Sequence, residues 1–391
     1  MNSFKIKTGV RIPELDGLRG LAILLVVFHH YVSGRLRPIG NPIADFINHA
    51  SALTWSGVDL FFVLSGFLIG GILLDQRHTE HYFKTFYLRR ACRIFPLYFL
   101  WLILFIILDR MFSSSLHQHW QSDIFYARYP TWAYALFLQN FFIAKRQLFG
   151  PHWLGTTWSL AIEEQFYLLA PLLMRFLPLR KLPHVLVSII LLVPLLRLYS
   201  YLYHPTLFVY VLLPYRADAL LMGVLCAYGV RHDRLHFWLQ KHRGRLFPAL
   251  IVLLVGLIYL SRDRINPRNS FEMVVLGYSW LPLFYTCVLL IVITAREGII
   301  ARVMRFSPLR NLGIIAYGVF LIHLAMDGLA HGLISGKDFS AIHDLSDGAV
   351  TLLAFLVTLI LAAFSWHFFE KPIIRWGHSF SYTNRKIQPA T

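Results

Sequence analysis

The stretch LDGLRGLAILLVVFHHY, residues 15–31, is an apolar run long enough to cross a bilayer, and it carries Asp16, Arg19 and His30. Each residue of an α-helix turns ~100° about the axis, so Arg19 and His30 return to within ~20° of each other. Asp16 lies ~40° from His30, whereas the adjacent His29 points ~80° away from Arg19. Ionisable side chains inside a bilayer are costly and mark functional sites. The alternative is that Asp16 and Arg19 lie among lipid headgroups, with His30 at the opposite interface.

The composition of the 391-residue chain is that of a membrane protein. It is 57% hydrophobic and only 15% charged, whereas about a quarter of the residues of a soluble domain are charged. The net charge of +17 would also fit a nucleic-acid-binding protein, but Lys and Arg accumulate in the cytoplasmic loops of membrane proteins in general. The three cysteines form no CxxC pair, so no metal site is predicted. We therefore expect a lipid bilayer and no nucleic acid as a partner.

Ten apolar segments predict an all-α polytopic membrane protein with about ten transmembrane helices. The predicted spans are residues 16–31, 57–74, 94–112, 157–177, 184–203, 208–230, 246–260, 272–295, 312–333 and 349–369. With the N-terminus placed inside, most of the 37 Lys and Arg residues fall on that same side, as the positive-inside rule requires. Both termini are therefore predicted to be cytoplasmic.

One apolar segment, residues 132–144, is too short to span comfortably. Counting it as a span would invert every later loop and destroy the charge asymmetry. We predict a re-entrant or interfacial segment on the outer side, bounded by Lys145 and Arg146. Residues 1–375 are then one membrane-embedded domain, followed by a short cytoplasmic tail, residues 376–391.

Two motifs place further polar groups inside predicted spans. In GVDLFFVLSGFLIGG, residues 57–71, Asp59 lies near the outer end, and Ser65 and the glycines would let another helix approach closely. In TTWSLAIEEQFYLLAP, residues 156–171, Ser159, Glu163 and Tyr167 share one helix face, whereas Glu164 points ~100° away. Interaction with the helix dipole is an alternative for the two glutamates, but it does not explain the whole stripe.

Three motifs leave a structural and a functional interpretation open. Arg90 and Arg93, in the basic loop and span start YLRRACRIFPLY, residues 87–98, share a face and suit either phosphate binding or topological anchoring. Arg216 and Asp218 in PYRADALLMG, residues 214–223, pair with each other or with a neighbouring span. His323 in IAYGVFLIHLA, residues 315–325, is a hydrogen-bonded core histidine or a member of the site.

Six motifs in this order resemble acyltransferase family 3, the membrane O-acyltransferases of bacterial cell-surface polysaccharides and of some antibiotics. They are LDGLRG with a histidine eleven after its arginine, GVDLFFVLSGFLI, RRACRIFP, WSLAIEEQFY, RADAL and AYGVFLIH. The resemblance covers nearly the whole chain. It implies a multi-pass protein of the bacterial cytoplasmic (inner) membrane. Its activity would be transfer of an acyl group, typically acetyl, from acyl-CoA to a hydroxyl of a cell-envelope or secreted carbohydrate or glycoside. No permanently bound cofactor and no metal is implied, and acetyl-CoA is the donor substrate.

The resemblance also implies roles for individual residues. The essential histidine falls on His30, and the acyl-CoA-binding arginines fall on Arg19, Arg90 and Arg93. His30 would take a proton from the acceptor hydroxyl, or take the acyl group itself. Further catalytic residues are Glu163, Asp59 and Tyr167, with Glu163, or else Asp59, orienting His30. Supporting residues are Asp16, Ser65, Ser159, Arg216, Asp218 and His323.

The chain departs from the family pattern in two ways. Many members carry an SGNH-hydrolase domain after the last span, and the roughly twenty residues after Lys371 are too few for one. We expect the chain to complete the transfer itself or to hand the group to a separate periplasmic transferase. Ala316 stands where the family often has serine. The competing function is a secondary transporter with a mid-membrane polar site, which would more often show broken spans and inverted repeats; the sequence shows neither.

Overall fold

The fold is that of a computed structural model, which describes residues 12–37, 40–113, 124–125, 129–204, 206–262, 269–295, 297–337 and 340–383. Of the described residues, 81% are helical, and the same ranges contain no β-strand, only one isolated bridge between Leu36 and Ile342. The α-helices of these ranges follow one another along the chain. They are α1 (Pro13–Tyr31), α2 (Pro42–Ala50), α3 (Gly57–Asp75), α4 (Tyr82–Ser113), α5 (Thr131–Ala135), α6 (Gln139–Arg146), α7 (Thr157–Phe176), α8 (Leu182–Tyr203), α9 (Thr206–Val211), α10 (Leu213–Arg231), α11 (Asp233–Lys241), α12 (Leu246–Leu260), α13 (Tyr278–Thr294), α14 (Ile299–Met304), α15 (Ser307–Ile314), α16 (Ala316–Ala330), α17 (Leu345–Ser365) and α18 (Lys371–His378).

The all-α polytopic architecture is confirmed. Eight helical stretches in the described part of the chain are long and apolar enough to cross a membrane. The two other predicted spans form helices α1 and α7, of 19 and 20 residues, which carry the charged side chains of the predicted site. The side on which the termini lie stays a prediction. Some of the charges behind that prediction fall outside the described residues, namely Lys5, Lys7, Arg11, Arg296, Arg385 and Lys386.

The outer helices present apolar side chains away from the protein. Leu191 and Leu195 on α8, and Ile251 and Val255 on α12, are 60% to 67% exposed. Soluble proteins rarely expose continuous apolar surface of this kind, and a lipid environment removes its cost. The central helices α1, α3, α7, α10 and α16 are buried against one another and hold the polar groups.

Helix α4 begins at Tyr82 rather than at residue 94, so the prediction of a basic loop before the third span is wrong. Residues 82–95 contain neither proline nor glycine, the two residues that most disfavour a helix. Arg89, Arg90 and Arg93 therefore lie on a continuous helix, which fixes their directions relative to the bundle.

Two predicted spans are interrupted. Residues 208–230 form α9 and α10, which are separated at Leu212, where the backbone is extended. Pro214 lacks the N–H that a continuous helix would need, so it is accommodated in the first turn of a new helix. Residues 312–333 are divided at Ile315 between α15 and α16. The expectation of unbroken spans is therefore wrong. A lack of broken spans can no longer be used as an argument against a transporter.

The short segment 132–144 does not span. It folds into α5 and α6, which are separated by a turn in which Phe137 has a left-handed φ of 56°. The buried amide of Gln139 donates to the Thr157 carbonyl at 2.8 Å, and that of Asn140 donates to the Val211 carbonyl at 3.1 Å. Irregular backbone at membrane depth requires this kind of protein cover. The expectation of a non-spanning segment is confirmed.

Helices α3 and α10 pack with their backbones in contact. A Cβ atom on Gly66 would collide with the carbonyl of Leu220, and one on Gly223 would collide with the carbonyl of Val63. Small residues permit such an approach between membrane helices, so the packing role predicted for the glycines of the second span is confirmed at Gly66. The contact also aligns the polar residues of α3 with those of α10.

Candidate active site

Two cavities lie between the central helices. The arginine cavity, of about 200 Å³, is lined by side chains that include Arg19, Arg90, Arg93, Ser65, Glu163 and Tyr167. The histidine cavity, of about 480 Å³, is lined by side chains that include His29, His30, Arg35, His152, Trp158 and Tyr210. Val58, Ser159 and Phe320 line both cavities. The two spaces are therefore neighbours that share one wall.

Helix α1 contributes a side chain to each cavity, because Arg19 lines the arginine cavity and His30 lines the histidine cavity. The predicted orientation of these two side chains toward the protein interior is confirmed. Arg19 Nη1 donates to Asp16 Oδ1 at 2.9 Å. His29 also lines the histidine cavity, and its ring centroid lies 5.1 Å from that of His30. The expectation that His29 points elsewhere is therefore wrong.

Arg90 and Arg93 bring two guanidinium groups of α4 to the arginine cavity. Within the described ranges, neither group makes a hydrogen bond or an ion pair. With Arg19, they place three cations around one cavity, an arrangement that favours an anion between them. Arg89 differs, because its Nε and Nη2 both donate to the Phe380 carbonyl. The three arginines therefore point in different directions from the same helix. Arg89 binds the segment after α18, whereas Arg90 and Arg93 face the cavity.

Glu163 is the centre of a hydrogen-bonded cluster in the arginine cavity. The Tyr167 hydroxyl donates to Glu163 Oε2, and Ser65 Oγ donates to the same oxygen at 3.1 Å. The Ser65 and Tyr167 hydroxyl oxygens lie 2.5 Å apart. Ser159, one turn before Glu163, lies in the wall between the cavities, so the predicted stripe on α7 faces the interior. Glu164 is not among the described residues that line either cavity.

His323 of α16 reaches His30. His323 Nε2 lies 3.1 Å from His30 Nδ1, which is also 2.9 Å from the Val26 carbonyl oxygen. A carboxylate, Glu163 or Asp59, was expected to orient His30. The structure instead places a second imidazole at that nitrogen, while Glu163 is bonded to Tyr167 and Ser65. The described residues contain no cluster of three or more His, Cys, Asp or Glu side chains that could hold a metal ion.

Aromatic rings form much of the remaining wall of the histidine cavity. The Trp158 and Tyr210 ring centroids lie 4.6 Å apart, and those of Trp55 and Tyr210 lie 6.2 Å apart. Arg35 contributes a charge, and its Nε donates to the His30 carbonyl at 3.1 Å. Flat apolar faces with a few convergent polar groups are typical of a pocket for a small polar organic molecule.

Two buried ion pairs connect α3, α8 and α10. Arg216 Nη2 donates to Asp59 Oδ1 at 2.5 Å, and Arg197 Nη2 donates to Asp218 Oδ2 at 2.9 Å. All four side chains are at most 1% exposed. Of the two partners expected for Arg216, the structure selects a neighbouring span and not Asp218. Asp59 and Asp218 thus belong to ion pairs between helices, and breaking such a pair leaves a costly buried charge.

Sequence reasoning missed Arg197 and the contact role of His323. Arg197 lies in the middle of the predicted span 184–203, and a charged residue at that depth is a signal that could have identified it. The interruption at Ile315 places Tyr317 on the arginine cavity, where its hydroxyl donates to the Ile94 carbonyl at 2.7 Å. Ala316, the departure from the family pattern, lines the same cavity.

Comparison with known proteins identifies the family. A family model described as an acyltransferase domain, acyltransferase family 3, matches residues 12–367. The chain is 26% identical over 388 residues to the peptidoglycan O-acetyltransferase OatA of Listeria monocytogenes, covering 94% of this chain and 56% of the relative. It is 28% identical over 411 residues to the putative peptidoglycan O-acetyltransferase YrhL of Bacillus subtilis, covering 95% and 56%. It is 24% identical over 393 residues to the O-acetyltransferase OatA of Staphylococcus aureus, covering 96% and 59%.

The chain thus spans little more than half the length of these relatives. No solved structure matches it. The family match covers both cavities and every residue that lines them. The chain therefore belongs to acyltransferase family 3, and its described part has the all-α architecture of a multi-pass membrane protein.

Proposed function

We propose that the chain is an O-acetyltransferase of the bacterial inner membrane. It moves an acyl group, acetyl by preference, from cytoplasmic acyl-CoA to a hydroxyl of a cell-wall, other cell-envelope or secreted carbohydrate. The observation that carries the proposal is the pair of adjacent cavities, with three arginines at one, two of them without an ion pair among the described residues, and a histidine at the other. The printed names of the relatives, which are peptidoglycan O-acetyltransferases, support the acetyl group and the carbohydrate.

The arginine cavity suits the donor. A volume of about 200 Å³ is below the ~300–1,000 Å³ of sites that enclose a drug-sized ligand. It therefore takes only the acyl-pantetheine end of acyl-CoA, with the phosphates beside the arginines that line it. Arg90 and Arg93 bind these phosphates with two N–H groups each, as guanidinium forks do. Arg19, held by Asp16, adds a third charge.

The histidine cavity suits the acceptor. Its volume of about 480 Å³ accommodates a sugar ring, and Trp158 and Tyr210 offer faces against which the C–H groups of a sugar can pack. The acceptor takes the acyl group directly at His30. The alternative is that a separate periplasmic transferase accepts the acyl group from this chain and passes it on to the final carbohydrate.

The chemistry takes place at the shared wall. His30 removes the proton of the acceptor hydroxyl as the oxygen attacks the thioester carbonyl. The new C–O bond forms, the C–S bond breaks, and the proton passes from His30 to the departing thiolate to give free CoA. Formation of an acyl-His30 intermediate is the covalent variant of the same step. Glu163 holds the Ser65 and Tyr167 hydroxyls beside the thioester, and Ser159 lies in the wall that the two cavities share.

Replacing Glu163 with glutamine is expected to reduce the rate at least tenfold, which is ~1.4 kcal/mol of barrier. The amide keeps the size of the side chain but removes the negative charge, so its remaining oxygen is a weaker acceptor for the Ser65 and Tyr167 hydroxyls. Glu164→Gln is the matched control, because Glu164 is adjacent but does not line the cavity in the described structure. Turnover of the two variants is compared at equal membrane levels. A larger loss in Glu164→Gln would mean that the helix register and the family correspondence are both wrong.

The function itself is tested with membranes that contain the chain, incubated with acetyl-labelled CoA and soluble cell-wall glycan fragments. We expect slow consumption of acetyl-CoA without acceptor, and alkali-labile label on the glycan when acceptor is present. A transporter would leave acetyl-CoA intact under both conditions, and that result would overturn the proposal. Analysis of surface glycans for lost O-acyl groups in a deletion strain then identifies the acceptor.

A further inference from the structure

The contact between His30 and His323 determines where the protons lie on both rings. His323 Nδ1 is 3.0 Å from the Val319 carbonyl oxygen and 2.9 Å from that of Phe320. Carbonyl oxygens only accept hydrogen bonds, so His323 Nδ1 carries a hydrogen. His323 is completely buried, and the Tyr31 hydroxyl donates to its backbone carbonyl at 2.7 Å, which ties α16 to the end of α1.

The same logic applies to His30. Its Nδ1 faces the Val26 carbonyl oxygen at 2.9 Å and His323 Nε2 at 3.1 Å. A carbonyl oxygen can only accept, so His30 Nδ1 carries a hydrogen as well, and this one hydrogen is shared between two acceptors, the Val26 carbonyl oxygen and His323 Nε2. Two N–H groups cannot point at each other, so His323 Nε2 must be the unprotonated acceptor and His323 must be neutral. In neutral His30 the remaining lone pair is therefore on Nε2 of a ring that lines the histidine cavity.

We propose that His323 is a positioning residue that holds His30 in its Nδ1–H tautomer, so that Nε2 is the nitrogen that removes the acceptor proton. The inference rests on the proposed function and names the reacting atom within it. In the step, the hydroxyl proton moves to His30 Nε2 while Nδ1–H continues to donate to His323 Nε2. The positive charge that develops on His30 is thus stabilised by a hydrogen bond to a neutral imidazole. Many enzymes use a carboxylate at this position.

The test replaces His323 with three side chains of different hydrogen-bonding capacity. Glutamine can still accept from His30, leucine cannot, and lysine can only donate. We expect His323→Leu to lower kcat at least tenfold with the KM values for acetyl-CoA and acceptor within twofold of wild type. His323→Gln should recover most of kcat, and His323→Lys should be as poor as leucine or worse.

The matched control is His331→Leu. His331 is only 1% exposed, it follows α16 directly in the π-helical turn His331–Ser335, and its Nε2 lies 3.0 Å from Thr351 Oγ1. Loss of a buried histidine there should lower the melting temperature about as much as His323→Leu does, but leave kcat unchanged. A purely structural role for His323 would make the two leucine variants equivalent in both measurements.

Nitrogen-15 NMR of histidine-labelled protein reads the tautomer directly in the wild type. The signal of His30, assigned by its loss in His30→Gln, should show a protonated Nδ1 and an unprotonated Nε2. The opposite tautomer would overturn the proposal even if no His323 variant folds. Wild-type kcat in His323→Leu would also overturn it and leave the proposed function intact, whereas an inactive wild type would refute the function itself.

Discussion

His30→Ala is expected to abolish acyl transfer, whereas His29→Ala should retain most of it. A positioned general base contributes ~10²–10⁴ in rate, which corresponds to about 3–5 kcal/mol of barrier. Both side chains line the histidine cavity, so access alone does not separate them. The difference is that His323 Nε2 lies 3.1 Å from His30 Nδ1, where the proposed hydrogen bond keeps the His30 lone pair on Nε2. O-acylation of the acceptor by the two variants is measured at matched membrane levels.

The adjacent histidine makes this comparison a strict one. The two alanine variants lose the same group from the same turn of α1, so helix stability and expression should change alike. An active His30→Ala protein would refute the mechanism. Equal losses in both variants would mean that the cavity needs its imidazoles for binding the acceptor and not for proton transfer.

Arg90→Ala and Arg93→Ala are each expected to raise KM for acetyl-CoA about 10- to 100-fold, because a hydrogen bond to a charged group contributes ~1.5–3 kcal/mol. Lysine should restore only part of the affinity, since a point charge cannot form the two parallel bonds of a guanidinium. The effect should be larger at low ionic strength, where charges are less screened. Binding of acetyl-CoA to purified protein gives the dissociation constant, which should rise in the same way and is measured without turnover.

Topological anchoring by positive charge predicts a different result. Arg231→Ala removes one cation from α10, where Arg231 pairs with Asp75 at the end of α3 and is not among the described residues lining the arginine cavity. If the arginines act only through the positive-inside rule, all three variants should insert in the wrong orientation. Each of them should still bind acetyl-CoA as tightly as the wild type does. We expect Arg231→Ala to bind normally, so the comparison distinguishes phosphate binding from orientation.

The direction of side chains within single helices could be predicted from the sequence alone. Arg19 and His30 both face the interior from α1, and Ser159, Glu163 and Tyr167 share one face of α7. These predictions need only the fixed rotation per residue of an α-helix. The family order of the motifs added the class of reaction, and it too is readable along the chain. The same arithmetic failed for His29, because a wide cavity at the end of α1 admits side chains from more than one face.

Which polar groups meet depends on how the helices pack against one another. His30 and His323 are 293 positions apart, and Asp59 and Arg216 are 157 apart. Local periodicity contains no information on such distances, because it describes each helix alone. The start of α4 at Tyr82 and the break before Pro214 likewise depend on which backbone positions neighbouring helices cover. Inside a bilayer a buried charge must find a partner on another helix, so packing pairs Asp59 with Arg216 and Asp218 with Arg197, and leaves a neutral histidine to orient His30.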